Sequence, residues 1–467
     1  MGKRYGILVL LTFFLLVSCQ HQDEEIRILF IGDILLSRQV KKEYDYRKVS
    51  PWENLKPLFL NSDLVIGNLE GSVGTISDTV TSSLLFAIDS ADISLLSDAG
   101  FNLIGIENNH SYDLGIEGRQ NTINKLLKNN IHPVGFEHSP YFISVKGVVL
   151  SIVTINTIAG NNCPQNPMYS IELRQKMALA KSLSNMVIVS IHWGNELLDW
   201  SNKTQQEAAK WLIAEGADII IGSHPHVIQK PEIIDGKPVF FSLGNHLFDQ
   251  KYPATKKGLM VEITAKNGKY KCKGITTNTE ENSFYPKTDT FVSFNFPAFE
   301  YNRKLFCING LSLIPVSVFE QTQTKVILQA YQDKHLMWRS HPMPLIYIVD
   351  TELDGKEIYL FTLQNYYSTL DKEISLRPYV YMTDFHGIYP KWRGSALAYP
   401  LLDAQISPYN SQVLCALHRG DTYIVLDKEN STPHMMAYQW NGFGFSGLPD
   451  SVACKYCMEI YGEILNK

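Results

Sequence analysis

The chain has 467 residues, of which 45% are hydrophobic and 19% are charged, and its formal net charge is −5. This composition predicts a globular protein of two or three domains and excludes an intrinsically disordered chain. An acidic net charge without a long basic run gives no electrostatic basis for binding nucleic acid, so we expect no nucleic-acid partner.

The N-terminus has the features of an export signal. Two basic residues precede an apolar run at residues 7–17, which is shorter than a membrane-spanning helix and has the length of a signal-peptide core. The run ends in Leu-Val-Ser-Cys, which resembles a bacterial lipobox. We therefore predict a lipoprotein signal peptide at residues 1–19 and a membrane anchor through lipidated Cys19. An ordinary signal peptide and a buried helix are the alternatives.

Six further cysteines are scattered over the rest of the chain, unlike the dense framework of a small secreted domain. Cys454 and Cys457 have CxxC spacing, but no second pair accompanies them, so we expect no zinc site there. The interpretations left open are a local disulfide between these two cysteines and no bond at all.

Between residues 20 and 265, short apolar segments alternate with helical ones. Strands are predicted at residues 27–31, 64–66, 102–106, 141–145, 148–155, 186–191, 219–221 and 237–243, and helices at 52–59, 91–99, 116–128 and from about 204 to 215. This order is typical of an α/β core with a mostly parallel sheet. Such sheets place their ligands beyond the carboxyl ends of the strands.

Polar residues follow these strands and form the candidate site. His224 and His226 follow the strand at 219–221, and Pro225 between them restricts the directions in which they can point. Taken singly, each polar residue has an ordinary explanation as a helix cap, a turn residue or a packed core histidine. Their recurrence at equivalent strand ends favours one common site, made of Asp33, Glu70, Asn109, His110, His192, His224 and His226.

This residue set is suited to a divalent metal. Carboxylate, amide and imidazole ligands together favour Mn²⁺, Fe²⁺ or Zn²⁺ over Ca²⁺, and one or two ions are expected. His110 is the candidate catalytic residue, as a proton donor to the leaving group or a stabiliser of transition-state charge. Arg38 and Trp193 are candidates for contacting an anionic or extended substrate, although both also have packing explanations. The expected metal ligands are Asp33, Glu70, Asn109, His192, His224 and His226.

A set of ordered motifs connects these residues to a known family. They are Gly-Asp-Ile-Leu-Leu-Ser-Arg (32–38), Gly-Asn-Leu-Glu-Gly (67–71), Asn-Asn-His (108–110), Ile-His-Trp-Gly-Asn-Glu (191–196), Gly-Ala-Asp-Ile-Ile-Ile-Gly-Ser-His-Pro-His (216–226), Gly-Lys-Pro-Val-Phe-Phe-Ser-Leu-Gly-Asn (236–245) and Phe-Asp-Gln (248–250). Together they resemble the CapA family, which is named for capsular poly-γ-glutamate biosynthesis and is related to the calcineurin-like metallophosphoesterases. The resemblance covers roughly residues 26–265.

The resemblance implies a four-layer α/β/β/α metallophosphatase-like sandwich with a dinuclear metal site. Asp33 matches the first metal-binding aspartate, Glu70 stands in place of a bridging aspartate, and the other candidate ligands match the family's Asn-His pair and its later histidines. Leu35 stands where the phosphoesterases have a histidine, and this departure, with Glu70 for aspartate, bears on the second metal ion and on phosphoesterase activity. Ser223 also stands where a histidine is common. His246 imitates the Asn-His motif out of order and is left out of the metal set.

The composition changes after about residue 265. We predict a CapA-like domain at residues 20–265, a connecting region at 266–324 and a smaller β-rich accessory domain at 325–467. Strands are expected there at 324–330, 345–350, 357–363, 413–417, 422–426 and 435–440. An Asp-Gly pair at 354–355 marks a hairpin, and aromatic-glycine turns are typical of blade-like β repeats. The accessory domain is interpreted either as a binder of glycan or polymer or as purely structural.

These observations predict an envelope lipoprotein at the outer membrane or on the periplasmic or extracellular face. Its expected function is metal-dependent hydrolysis or transfer in the biosynthesis or anchoring of a capsular polymer of the poly-γ-glutamate type. The expected partner is an anionic envelope polymer or its precursor. One alternative is a non-catalytic lipoprotein that binds or tethers polymer through a degenerate metal site. Another is an exported nucleotidase with the same site chemistry.

Overall fold

The computed structural model describes residues 24–75, 85–160, 162–279, 284–289, 294–302, 304–320, 323–368, 372–394, 397, 399–422, 427 and 431–465. Within them a mixed α/β region with parallel sheets is followed by several antiparallel β-sheets. This confirms the predicted α/β region and the change to β structure after it.

The α/β region is built from short strands and helices in alternation. Its helices are α1 (Arg38–Arg47), α2 (Lys56–Leu60), α3 (Ser94–Ala99), α4 (Gly115–Lys128), α5 (Ile171–Leu183) and α6 (Lys203–Ala214), with 3₁₀ turns at Phe136–His138 and Pro253–Lys256. Its strands are β1 (Ile26–Ile34), β2 (Leu64–Leu69), β3 (Ser72–Val73), β4 (Ala87–Ile88), β5 (Leu103–Gly105), β6 (His132–Val134), β7 (Tyr141–Val145), β8 (Val148–Asn156), β9 (Met186–His192), β10 (Ile219–Ser223), β11 (Ile228–Gln229), β12 (Glu232–Ile234), β13 (Lys237–Phe240), β14 (Ser242–Leu243), β15 (Asn245–Leu247), β16 (Lys257–Lys266), β17 (Lys269–Thr279), β18 (Pro286–Thr288) and β19 (Phe299–Glu300).

Two larger sheets organise this region. The first has the strand order β18-β17-β16-β1-β2-β5-β6, and β1, β2, β5 and β6 run parallel to one another. The second has the order β12-β13-β10-β9-β8-β7, with β8, β9, β10 and β13 parallel. The parallel strands are almost wholly buried, as their continuous apolar runs predict.

Three hydrophobic cores hold these layers together. One joins the first sheet to α1, α2, α3 and α4, and includes Trp52, Phe59 and Leu126. A second lies between the two sheets, where Phe30 of β1 belongs to the same cluster as Ile188 of β9. The third joins the outer face of the second sheet to α5 and α6. Burial of apolar surface on both faces of both sheets is the main stabilising term of this region.

Beyond residue 305, the described residues form three antiparallel four-stranded sheets in sequence. Their strands are β20 (Phe306–Ile308), β21 (Leu311–Phe319), β22 (Thr324–Gln332), β23 (His335–Arg339), β24 (Leu345–Thr351), β25 (Tyr359–Ser368), β26 (Glu373–Thr383), β27 (Ile388–Arg393), β28 (Leu401–Ser407), β29 (Asn410–His418), β30 (His434–Trp440) and β31 (Phe445–Gly447). In each sheet neighbouring strands are consecutive in the chain. Helix α7 (Asp450–Leu465) packs on the last sheet.

The C-terminal sheets contact the α/β region mainly through α5. Leu179 and Leu183 of this helix, with Phe142 of β7, share a core with residues of the first two C-terminal sheets. Gln175 also donates through Nε2 to Oδ1 of Asp403 in β28, over 2.8 Å. These contacts attach the β sheets to the face of α5 that does not cover β8 and β9.

The sheets extend across both predicted domain boundaries. Strand β17 lies beyond residue 265 but pairs along its whole length with β16 of the first sheet. Strands β20 and β21 lie before residue 325 but belong to the first C-terminal sheet. The region predicted as a connection therefore contains paired strands. The division into domains at 265 and 324 remains a prediction, and residues 1–19 lie outside the described part of the chain.

One disulfide differs from the predicted interpretations. Cys457 of α7 is bonded to Cys415 of β29, 42 positions away, whereas Cys454 is exposed and free. The expected local bond is wrong because Cys457 faces the sheet and packs with Cys415, whereas Cys454 points to solvent on α7. Among the described residues, no helix is long and apolar enough to cross a membrane.

Candidate metal centre

The residues predicted to bind metal lie together at the carboxyl ends of strands from both sheets. Asp33 is the second-last residue of β1 and Glu70 directly follows β2, while His192 is the last residue of β9. His224 and His226 follow β10. The position beyond the strand ends is the one expected for ligands of parallel sheets.

Asp33 is the centre of a buried hydrogen-bond network. Its Oδ1 atom accepts from Nδ2 of Asn68 over 2.8 Å, and its Oδ2 atom accepts from the backbone N–H of His224 over 3.2 Å. Asn68 in turn accepts through Oδ1 from Nδ2 of Asn108 over 3.0 Å. Asp33 and Asn108 are both fully buried. These bonds fix the orientation of the carboxylate and leave lone pairs on it for a cation.

Glu70 is fully buried, yet neither of its carboxylate oxygens has a hydrogen-bond partner among the described residues. Its Oε2 atom lies 4.0 Å from Nε2 of His226. Burial and the nearby charge of Asp33 raise the pKa of Glu70 well above its usual value. A buried carboxylate without partners is destabilising unless a positive charge accompanies it. Glu70 therefore fits a metal site.

His192 is held between two side chains. Its Nε2 atom lies 2.8 Å from Oδ1 of Asn109 and its Nδ1 atom lies 2.9 Å from Oγ of Ser223. Burial, followed by the charges of the neighbouring histidines, lowers the pKa of His192 well below its usual value. The imidazole is therefore neutral at physiological pH, which is the form that binds metal.

The two histidines of the His-Pro-His turn differ in charge. Both have positive φ, 95° for His224 and 59° for His226, a conformation that is uncommon outside glycine and is often found at functional sites. Burial lowers the pKa of His224 to about 4. Burial would also lower the pKa of His226, but the carboxylates of Glu70 and Asp33 outweigh this effect and raise it to about 9. His226 is therefore protonated when no metal is bound, and it would release this proton on binding a metal ion.

Within the described part of the chain, the potential ligand atoms form two groups. Asp33, Glu70 and His192 form a buried one, and Glu196, His224 and His226 form another, with ligand atoms within 4.8 Å of one another in each group. Oxygen and nitrogen donors of this kind suit a divalent transition metal. The structure thus brings five of the predicted ligands into two possible cation positions, with Asn109 beside them through its contact with His192.

His110 lies next to this centre but is held by other contacts. Its Nδ1 atom lies 2.9 Å from Oδ2 of Asp113, and the same oxygen accepts from the backbone N–H of Phe86 over 2.7 Å. The imidazole stacks on the ring of Phe86 with the centroids 3.9 Å apart. Because Asp113 engages Nδ1, Nε2 is the atom of His110 that can exchange a proton with a bound substrate.

The two predicted substrate contacts have different surroundings. Arg38 pairs with Asp249 through Nε and Nη2, over 3.0 and 2.6 Å, and its guanidinium lies over the ring of Phe86, so it remains beside the centre. Trp193 is only 2% exposed and donates through Nε1 to the backbone oxygen of Phe241. The expectation for Trp193 is therefore wrong, because its ring and its only polar atom are used in the core.

The structure also shows the surroundings of His246, which the sequence analysis left out of the metal set. His246 is fully buried with its ring 6.2 Å from that of Phe59, and burial lowers its pKa to about 3. Residues adjacent on a strand point to opposite faces, so Asn245, not His246, reaches His226. The proposed lipidation site Cys19 lies outside the described residues.

Several residues of the centre were not assigned a role from the sequence. Asn68, Asp113, Glu196 and Asn245 all contact a predicted site residue or belong to one of the two groups. Three of them stand inside the ordered motifs, at 67–71, 191–196 and 236–245. The signal was therefore present, but sequence spacing alone does not reveal which motif residue faces the site.

The fold and the site define an α/β protein with buried groups of histidine, aspartate and glutamate that could hold a divalent metal. Residues 27–250 match the family described as "Bacterial capsule synthesis protein PGA_cap". This match, over just under half of the chain, confirms the resemblance of residues 27–250 to the CapA capsule synthesis proteins.

Individual relatives are distant. The chain is 28% identical over 269 residues to "PGA biosynthesis protein CapA" of Bacillus subtilis (strain 168), covering 53% of this chain and 70% of that protein. It is 28% identical over 299 residues to "Capsule biosynthesis protein CapA" of Bacillus anthracis, covering 57% and 71%. A crystal structure of a hypothetical protein from Thermus thermophilus aligns with a TM-score of 0.34 and 16% identity, over 58% of this chain and 100% of that one.

Proposed function

We propose that this chain is a CapA-like envelope protein whose N-terminal region is a four-layer α/β/β/α metallophosphatase-like sandwich. In this proposal it binds one or two Mn, Fe or Zn ions and catalyses hydrolysis or transfer in the biosynthesis or anchoring of a capsular polymer of the poly-γ-glutamate type. Its substrate is the anionic polymer or a precursor. The match of residues 27–250 to the capsule synthesis family and the distant likeness to two CapA proteins support the polymer class.

The observation that carries the metal-dependent part is the state of Glu70. A fully buried carboxylate with no hydrogen-bond partner among the described residues requires a compensating cation. His226 supplies one positive charge, but Asp33 adds a second carboxylate to the same space. A divalent ion held by Asp33, Glu70 and His192 would balance these charges, and the lowered pKa of His192 favours the neutral ligand form.

The chain's own residues have separate tasks around that ion. When bound, the metal would supply an activated water and polarise the oxygen of the scissile phosphoester or γ-glutamyl bond. His110 would move a proton through Nε2, with its ring oriented by Asp113 and Phe86. Arg38, fixed by Asp249, would attract an anionic substrate towards the centre.

A non-catalytic protein that binds or tethers polymer is the second candidate. Leu35 stands where the related phosphoesterases have a metal-binding histidine, and its side chain is fully buried in the core. This position contributes no ligand, which favours a centre with fewer ligands than those enzymes have. In this alternative the metal would serve polymer binding alone.

The experiment that tests the metal centre is the metal content of the purified chain. The wild-type protein is compared with a His224→Ala/His226→Ala variant and with a His335→Ala/His386→Ala control, whose histidines are exposed in the C-terminal sheets. We expect near-stoichiometric Mn, Fe or Zn in the wild type and control, and loss in the site variant. No metal in any of them after reconstitution contradicts the proposal.

Membrane attachment needs a separate experiment. We expect the chain to be found in the membrane fraction through Cys19, at the outer membrane or on the periplasmic or extracellular face. A Cys19→Ser variant should shift it out of that fraction, while a Cys454→Ser variant should not. An unchanged distribution of Cys19→Ser contradicts the lipid anchor.

A further inference from the structure

Glu196 is an exposed carboxylate that faces two buried histidines. It lies in the loop after β9, and its carboxylate forms a group with ring nitrogens of His224 and His226 in which all the ligand atoms lie within 4.8 Å of one another. An exposed glutamate on a surface loop is in itself ordinary. Two independent features of its surroundings distinguish this one.

The first feature is that the loop is fastened against the His-Pro-His turn. The backbone N–H of Leu197 donates to the carbonyl oxygen of Pro225 over 2.9 Å, and Leu197 has φ of 62°, a conformation that leucine rarely adopts. This bond joins the residue after Glu196 to the residue between the two histidines. The backbone therefore holds the carboxylate on the histidine side at the expense of local strain.

Buried glutamine side chains also hold this loop in place. Gln229 is fully buried and donates through Nε2 to the carbonyl oxygens of Leu198 and Trp200, over 2.9 Å each. Gln205 of α6 donates to Oε1 of Gln229 over 3.0 Å and completes the capping box with Asn202. These buried amides position the whole segment, so the place of Glu196 does not depend on its own side-chain contacts.

The second feature is the buried carboxyl group of Glu70 next to the group. Glu70 is fully buried and lacks hydrogen-bond partners among the described residues, and its Oε2 atom lies 4.0 Å from Nε2 of His226. The space between Glu70 and Glu196 thus contains two histidines and is bordered by a carboxylate on each side. Leu35, just after β1, stands where the related phosphoesterases have a metal-binding histidine, and it is packed in the core and supplies no ligand. An additional ligand would have to come from another element.

The geometry points to Glu196 as a metal ligand. It would close a second, solvent-facing cation position with His224 and His226, beside the buried position formed by Asp33, Glu70 and His192. This inference rests on the proposed metal-dependent function and deepens it, because it assigns two ions to the centre and names the ligand that distinguishes them. Since Glu196 is exposed, the ion in the outer position should exchange with solvent faster than the inner one.

Manganese stoichiometry tests the assignment. The purified full chain is stripped with EDTA, incubated with MnCl₂ and desalted, and manganese per chain is measured by mass spectrometry. Glu196→Gln is compared with Asp199→Asn, which makes the same change of charge on an exposed residue of the same loop. Circular dichroism checks that each variant is folded. Release of manganese into excess EDTA is followed as a second measurement.

We expect two equivalents of manganese in the wild type and in Asp199→Asn, and one in Glu196→Gln. Release from the wild type should be biphasic, and the fast phase should be absent in Glu196→Gln. Two equivalents in Glu196→Gln overturn the assignment of Glu196, and a single equivalent in the wild type overturns the second position. A wild-type chain without manganese, iron or zinc removes the proposed metal-dependent function itself.

Discussion

The carboxylate of Glu70 lies 4.0 Å from Nε2 of His226, and both groups are buried. Their pKa values are raised for different reasons. Burial raises that of Glu70, and the carboxylates of Glu70 and Asp33 raise that of His226 to about 9. Asp33, Glu70 and His226 are thus held close together in a buried space. A divalent cation there would favour the ionised form of both carboxylates and the neutral form of His226, which is the physical basis of the proposed cation binding.

Replacing Glu70 by glutamine should remove the stabilisation that metal gives to the folded chain. A ligand that binds only the folded state at 100 times its Kd stabilises it by about 2.7 kcal/mol. We expect the wild type to gain free energy of unfolding of this order in the presence of Mn²⁺, and Glu70→Gln to gain almost none. Urea denaturation with and without MnCl₂ measures the difference.

The control for that experiment is Glu207→Gln. Glu207 is exposed on α6 and forms a surface ion pair with Lys203, which contributes at most about 1 kcal/mol. Its variant should gain the same stabilisation from Mn²⁺ as the wild type does. Equal gains in all three proteins would exclude Glu70 as a ligand.

Replacing His110 by asparagine should separate proton transfer from metal binding. His110 interacts through Nδ1 with Asp113, whereas the two groups of potential ligands do not include it. We expect the variant to retain its metal and to lose about 10²–10⁴-fold in turnover on any phosphoester or γ-glutamyl substrate that the wild type cleaves. Metal analysis and a steady-state assay check this. A loss of metal would instead make His110 a ligand.

A comparison of Trp193 with the exposed Trp200 tests the buried position of Trp193. Trp193→Phe should lower the free energy of unfolding by about 1–3 kcal/mol, because the buried carbonyl of Phe241 loses its hydrogen bond. Trp200 is 61% exposed, so Trp200→Phe should change it by less than about 0.5 kcal/mol. Urea denaturation compares the two variants. Equal effects would contradict the core position of Trp193.

The sequence was sufficient to predict the strands that carry the candidate site, although it did not reveal others such as β16 and β17. Apolar runs such as Ile219–Ile221 are buried on both faces, and the residues after them must lie at one edge of a parallel sheet. The sequence was not sufficient to tell Trp193 from a surface residue. Gly222 allows the ring to approach, since a Cβ there would lie 2.6 Å from Nε1 of Trp193, and such a contact joins two strands.

The role of Glu196 was not predicted for the same reason, because it depends on a contact between residues far apart in the sequence. Glu196 faces His224 and His226 only because Leu197 is bonded to Pro225, a contact across 28 residues of sequence. In the C-terminal part, β21 and β26 contain prolines that interrupt the expected strand pattern, yet both pair with two neighbours. These two strands are formed by pairing with the strands before and after them, which local composition does not reveal.

Acidification should weaken the contact between the α/β region and the C-terminal sheets. His138 is fully buried, with Nδ1 3.0 Å from Oγ1 of Thr324, and burial lowers its pKa to about 4. The stability that depends on its neutral form is complete above the unfolded pKa of about 6.5 and decreases as the pH falls towards 4, by up to about 3 kcal/mol.

A variant without a titrating group isolates this contribution. In His138→Asn the amide can still contact Thr324, so we expect a smaller loss of unfolding free energy between pH 7 and pH 4.5 than in the wild type. The exposed His335→Asn variant serves as the control and should follow the wild type. Urea denaturation across this pH range measures all three. Parallel curves for His138→Asn and the wild type would contradict the role of His138.

The disulfide between Cys415 and Cys457 should stabilise the last sheet and α7 together. It joins residues 42 positions apart and closes α7 onto β29. For a loop of this length the restriction of the unfolded chain contributes about 4 kcal/mol. We therefore expect dithiothreitol to lower the free energy of unfolding by up to this amount, measured by urea denaturation.

Cys457→Ser should have the same effect without reductant, because it removes the same bond. Cys454→Ser, three residues earlier and exposed, should leave both the stability and the response to reductant unchanged. If Cys454→Ser abolished the response and Cys457→Ser did not, the bond would involve Cys454 and the observed pairing would be incorrect.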